Sequence, residues 1–219
     1  MQEQMTLWSP FGHGGARKGA GRKRQKGSIA HETRERFSQH DPLLITCKLR
    51  GDVVTLRQAA EARVIRDKIR AAHKAGFRIV QYSIQGDHLH MIVEAADSEQ
   101  LANGMRGLGC RLAKGLNKLW QRTGKLFVGR CHVRVLKSLA EVYHALRYVL
   151  NNHRKHGCAS SPNEPDPFSS GVHYREWAGG ISVRPPGYAN PCEPARGWKL
   201  CVGWKCHYPL IRMAAVPGH

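Results

Sequence analysis

The sequence predicts an α+β fold: a ferredoxin-like βαββαβ antiparallel sheet followed by a C-terminal helix that carries a tyrosine. A disordered basic N-terminal arm and an irregular C-terminal extension flank it. Three observations predict this. Apolar residues alternate through four short segments, they recur at spacings of three and four through three longer ones, and the two patterns follow in the order β-α-β-β-α-β-α.

PLLITCKLRG (42–51) reads as the first strand. From Thr55 the pattern turns helical, with Ile65, Ile69 and Ala72 on one stripe and Gly76 as a stop. FRIVQYSIQ is the second strand, Gly86-Asp87 a turn and HLHMIVEA the third strand, so these two form a hairpin. A long helix follows Asp97, its core stripe formed by Leu101, Met105, Leu108, Leu112, Leu116 and Leu119. Gly104, Gly107, Gly109 and Gly115 weaken the case for its being straight and unbroken. KLFVGRCHVRVL (125–136) is the fourth strand. Ser138 and Glu141 form a capping-box pattern that opens the last helix, which runs to Gly157.

Three regions result: an arm (1–39), a sheet-and-helix domain (40–157) and an extension (158–219). The arm's GGARKGAGRKRQKG packs six Lys/Arg between glycines with nothing apolar to bury, so it reads as disordered when free. Its Arg17, Lys18, Arg22, Lys23 and Arg24 are candidate phosphate contacts. The extension holds nine of the eleven prolines and Trp177, Trp198 and Trp204, with a short strand expected around WKLCVGW. It either docks on the preceding domain or folds with a partner.

The chain of 219 residues has 35 Lys+Arg against 16 Asp+Glu, a formal charge of +19. Such self-repulsion calls for a polyanion, nucleic acid first and an anionic membrane surface second. No apolar run is long enough to span a bilayer, and the N-terminus lacks a secretory signal. Seven cysteines without framework-like spacing read as reduced thiols of a cytoplasmic protein, Cys47, Cys110 and Cys131 being small buried residues. Cys192, Cys201, Cys206 and His207 are four potential zinc ligands, but they contain no CxxC pair.

Alternation along the third strand turns His88 and His90 to one face and Leu89, Met91 and Val93 to the other. Two such imidazoles can hold one divalent cation, although a third ligand is needed and such a pair alone is commonly plain surface. On the last helix Val142, Ala145, Leu146 and Val149 form the buried stripe. His144, Tyr148, Asn151, Asn152 and Lys155 form a polar one, with Tyr148 one turn from Asn152.

Together these residues resemble the HUH endonucleases, specifically single-tyrosine transposases of the REP-associated type. DHLHMIVE is similar to that family's NHxHLLVE, YVLNNHRKHG to its YxxxNPxRxG, and DPFSSGVHYREW to its DPxSSxxxxxGW. The likeness runs over roughly residues 42–177 and departs from the pattern at Asp87, where Asn is common, and at His153, where Pro is common. The resemblance implies a Mg²⁺ or Mn²⁺ ion on His88, His90 and Asn152. Tyr148 would be the nucleophile that forms a 5′-phosphotyrosine link and frees a 3′-OH on single-stranded or hairpin DNA. Asn151 competes with Asn152, and Tyr143 with Tyr148. Arg130, Arg134 and Lys137, Arg106, Arg111 and Lys114 of the long helix, and Lys155 are the further DNA contacts expected.

The function this implies is a metal-dependent single-strand DNA endonuclease and strand transferase, bacterial, cytoplasmic and nucleoid-associated, acting as a monomer or homodimer. Two rivals remain. One is a catalytically inactive, domesticated protein of the same fold that binds hairpin DNA or RNA. The other is a replication-initiation nuclease, for which the chain leaves no room for a helicase.

Overall fold

The computed structural model describes residues 35–52, 55–157, 161–180 and 186–217. Most of the predicted arm, including Arg17, Lys18, Arg22, Lys23 and Arg24, lies outside the described residues. Four strands form one antiparallel sheet: β1 (Leu43–Lys48), β2 (Phe77–Ile84), β3 (His88–Ala95) and β4 (His132–Val135), in spatial order β2-β3-β1-β4. Helix α1 (Ala59–Arg70) follows β1, α2 (Ser98–Leu119) follows β3 and α3 (Leu139–Lys155) follows β4. The result is an α+β molecule with helices on both sheet faces.

The alternation along each strand decides which helix each face receives. Leu43, Ile45, Met91 and Val93 enter a core shared with Ile65 and Ile69 of α1 and Leu101, Leu108 and Leu112 of α2. Val80 and Ile92 enter a second core, beneath Val142, Leu146 and Val149 of α3.

As the apolar stripe predicts, a long helix follows Asp97: α2 is unbroken over 22 residues despite its glycines. Its glycines mark close approaches. A Cβ at Gly104 would lie 2.3 Å from the Phe77 ring, and one at Gly115 2.8 Å from Val64 of α1. The side chain of Asp97 caps α2 by accepting from the Gln100 amide. Ser138 and Glu141 form the full capping box of α3.

Two expectations are corrected here. The fourth strand spans only His132–Val135, and the residues before it meet the chain beyond β1 through an isolated Leu49–Phe127 bridge. Cys47 and Cys131 are joined in a disulfide, not separate thiols. The register explains the pairing: Thr46 lies opposite His132, so the next residue of β1 faces the residue before β4, with Cα atoms 4.4 Å apart. Such a partner across strands leaves no mark in linear spacing.

The extension docks on the sheet domain. Trp177 and Trp204 are fully buried in the second core against α3. WKLCVGW is not a strand. It forms a short helix, α4 (Trp198–Cys201), and a 3₁₀ turn (Gly203–Cys206), with Leu200 and Trp204 one turn apart and both buried. The DPFSS stretch runs along the outer edge of β2, where the Phe168 carbonyl accepts from the Ile84 amide and Ser170 Oγ from the Tyr82 amide. That edge is therefore covered. Among the described residues no helix is long and apolar enough to cross a membrane.

Candidate active site

Because Leu89, Met91 and Val93 fill the core beneath α1 and α2, His88 and His90 project on the α3 side of β3. The antiparallel register sets their neighbours. His90 lies between Thr46 of β1 and Ser83 of β2, and His88 lies opposite Lys48.

His90 is 4 % exposed and bonded at both ring nitrogens. Thr46 Oγ1 is 2.9 Å from Nδ1, and the Tyr148 hydroxyl of α3 is 3.1 Å from Nε2. Burial pushes this imidazole down to about 3, helped by His88 and His156 and opposed by Asp87. The ring is thus neutral at pH 7, with one N–H to give and one lone pair free to accept. His88 stands edge-on to His90, ring centroids 4.5 Å apart, and its Nδ1 is 2.6 Å from Asp87 Oδ1. That hydrogen bond holds the Asp87 carboxyl below the usual range. His156, just past α3, brings a third ring within 5.7 Å of His88.

Tyr148 is half-buried, and burial raises its phenol above the usual value. Asn152 lies near enough to oppose that rise, yet neither of its carboxamide atoms makes a hydrogen bond of regular geometry. The fully buried Asn152 side chain is therefore unsatisfied at both ends.

No protein-family model matches the chain, and no curated protein does. A solved structure does. The fold of this chain is similar to that of a REP-associated tyrosine transposase bound to a REP hairpin. The likeness covers 77% of this chain and 99% of that one, with a TM-score of 0.56 at 14% identity. At that identity the shared property is the fold.

The donor set fits a divalent cation. In the tautomer with a proton on each Nδ1, that proton goes to Thr46 for His90 and to Asp87 for His88, so each Nε2 carries the lone pair, that of His90 accepting from the Tyr148 hydroxyl. No group of three His, Cys, Asp or Glu that could hold a metal occurs among the described residues. Any further ligands of such an ion would be carboxamides, hydroxyls or water, and the unsatisfied Asn152 is of that kind.

The other expected residues scatter. Asn151, the rival of Asn152, donates its amide to the Arg212 carbonyl at 2.9 Å, while its buried Oδ1 is unmatched like that of Asn152. Tyr143, the rival of Tyr148, stacks on Tyr208, centroids 4.8 Å apart. Lys155 is exposed at the end of α3. Arg134 reaches Glu141 at 3.0 Å, and Lys137 pairs with Glu35. Arg106, Arg111 and Lys114 ride on α2, on the sheet face opposite the imidazoles, and Arg130 lines a cavity beside that helix. The zinc candidates do not gather: the thiol of Cys201 donates to the Ala195 carbonyl, that of Cys206 to Val202, and Cys192 is buried, its thiol pushed up by burial.

Sequence reading missed Thr46, His156, Ser83 and Gln85 around the imidazoles. It also missed the pairing of Arg57 with Asp166. Each is brought in by strand register or by a long connection.

Proposed function

We propose that this chain is a metal-dependent single-strand DNA endonuclease and strand transferase of the REP-associated tyrosine transposase type, built on a ferredoxin-like sheet. The observation that carries this reading is the 3.1 Å contact between the Tyr148 hydroxyl and His90 Nε2, which brings a phenol from α3 onto an imidazole pair of β3. The fold neighbour was solved on a REP hairpin, which supports hairpin DNA as the partner, and the charge of +19 suits a polyanion.

In this reading His88, His90 and Asn152 hold Mg²⁺ or Mn²⁺. When bound, the cation would polarise the scissile phosphate and stabilise the departing 3′-oxygen. The chain supplies the rest. Thr46 and Asp87 fix the two rings, and neutral ligands leave the charge undiminished. The oxygen of Tyr148 loses its proton to solvent and bonds to phosphorus while the P–O3′ bond breaks and O3′ takes a proton from solvent. A 5′-phosphotyrosine and a free 3′-OH result. The linkage conserves the phosphodiester, so a second 3′-OH can reverse the step.

The test is incubation with Mn²⁺ and end-labelled hairpin oligonucleotides from the gene's own flanks, followed by denaturing gels. A covalent protein–DNA adduct is expected, lost with EDTA and in Tyr148→Phe. The second reading, a binding protein without turnover, draws on the same contact, since the phenol is spent on the lone pair that a cation needs. Tight hairpin binding without an adduct under Mg²⁺ or Mn²⁺ would select it.

A further inference from the structure

Gln85 follows β2 directly, and its amide bonds to the His88 carbonyl at 2.9 Å, extending the ladder in which Ile84 faces Leu89. Gln85 is thus the cross-strand neighbour of His88, as Ser83 is of His90. Directly opposed residues share a sheet face. The side chain confirms the side: Gln85 Nε2 donates to Ser83 Oγ at 2.7 Å, laying the carboxamide along the β2 flank of both imidazoles.

One atom of this arrangement is unexplained. Gln85 is 1 % exposed, and its Oε1 is buried without a hydrogen-bond partner. A carboxamide oxygen taken out of water and left unmatched is unfavourable unless something positive meets it. Asn152, on the helix that covers this face, has both carboxamide atoms unmatched, and its neighbour Asn151 has its oxygen unmatched. The two imidazoles carry Nε2 lone pairs on the same face, and among the described residues no group of three His, Cys, Asp or Glu forms a metal site.

We infer that Gln85 is a further oxygen ligand of the cation, entering from the β2 side of His88 and His90. This rests on the metal-site reading above. It also addresses a chemical mismatch. Two imidazoles alone suit softer transition ions, whereas Mg²⁺ and Mn²⁺ take oxygen, and two carboxamides supply it without adding charge.

The experiment measures Mn²⁺ binding to the full-length, EDTA-stripped protein by calorimetry and by the loss of the free-ion EPR signal. His90→Gln is the control for the site, and urea melts check each fold. Gln85→Met keeps length and apolar bulk but removes the oxygen, so affinity should fall on the order of tenfold. Gln85→Glu puts a charged oxygen in the same place and should tighten binding. A merely structural glutamine would not give opposite signs for these two variants. Wild-type affinity in Gln85→Met, with binding lost in His90→Gln, overturns the role of Gln85 and leaves the metal reading standing. Should Gln85→Met fail to fold, a folded Gln85→Glu with unchanged affinity overturns it equally. Wild-type protein with no binding that depends on His90 sinks both ideas.

Discussion

His90 is gripped by two hydroxyls from different elements, and the Thr46 contact is the simpler to test. Thr46→Val keeps the shape of the side chain but strands Nδ1, which should cost about 1–3 kcal/mol in urea unfolding. Because an outer partner fixes ring and tautomer, Mn²⁺ affinity should also fall by about 10-fold or more, while Thr46→Ser keeps both. Affinity unchanged in the Val variant would show that the ring needs no such support. The depressed His90 value gives a second expectation. It lies at about 3, below the ordinary 6.5, so between those values the unfolded chain takes up a proton that the folded one refuses. That stabilising contribution is complete above about pH 6.5 and is lost as the pH falls toward 3. Thermal melts of metal-free protein should drop through that window, and His90→Gln should flatten the drop. At this scale the local pattern was legible: one-residue alternation sufficed to put His88 and His90 on one face. Thr46, Ser83 and Gln85 were not, because register between strands is set by turns and packing that no local window contains.

Helix α3 carries Tyr148, and its placement depends on what holds its two ends. Its start was readable because a capping box lies within four residues, Ser138 to Glu141. Its end is held partly by the segment just after it, Arg154 donating to the carbonyls of Ser161 and Pro162, and partly by residues far along the chain, Arg154 donating to the carbonyl of Met213 and Asn151 to that of Arg212. The same limit explains the misread WKLCVGW. Alternating apolar residues suit a strand, and only the packing of Leu200 and Trp204 against α3 selects a helical turn. The DPFSS stretch shows what such a segment does for the helix. Asp166, its side chain fully buried, receives two hydrogen bonds from Arg57 at 2.9 Å, and His153 of α3 lies 4.0 Å away. Arg57→Met leaves that carboxylate without its cation and should cost about 3–5 kcal/mol in urea unfolding. A loss under about 1 kcal/mol would mean that the segment is held chiefly by its backbone bonds to β2.

For the molecule as a whole, the question under the proposed function is which of its many cations would meet DNA. Composition announces a polyanion partner but cannot say where, since a charge count carries no direction. The sheet does. Lys48 and Arg134 project on the face that bears His88 and His90, because they lie opposite His88 and Leu44, and Leu44 packs into the α3-side core. Arg106 and Lys114 sit on α2, which packs on the other face. A strand laid across the Tyr148 hydroxyl therefore passes within reach of the first pair and not the second. Replacing Lys48 and Arg134 together by alanine should weaken hairpin binding at low salt. The slope of log K against log salt should become shallower by about 1.4, about 0.7 for each single-strand phosphate that is no longer neutralised. The same double change at Arg106 and Lys114 should leave the slope near that of the unaltered protein, apart from a weak, uniform loss of attraction. Equal slopes for the two double variants would mean that the imidazole face does not select the DNA path and that attraction is spread over the whole basic surface.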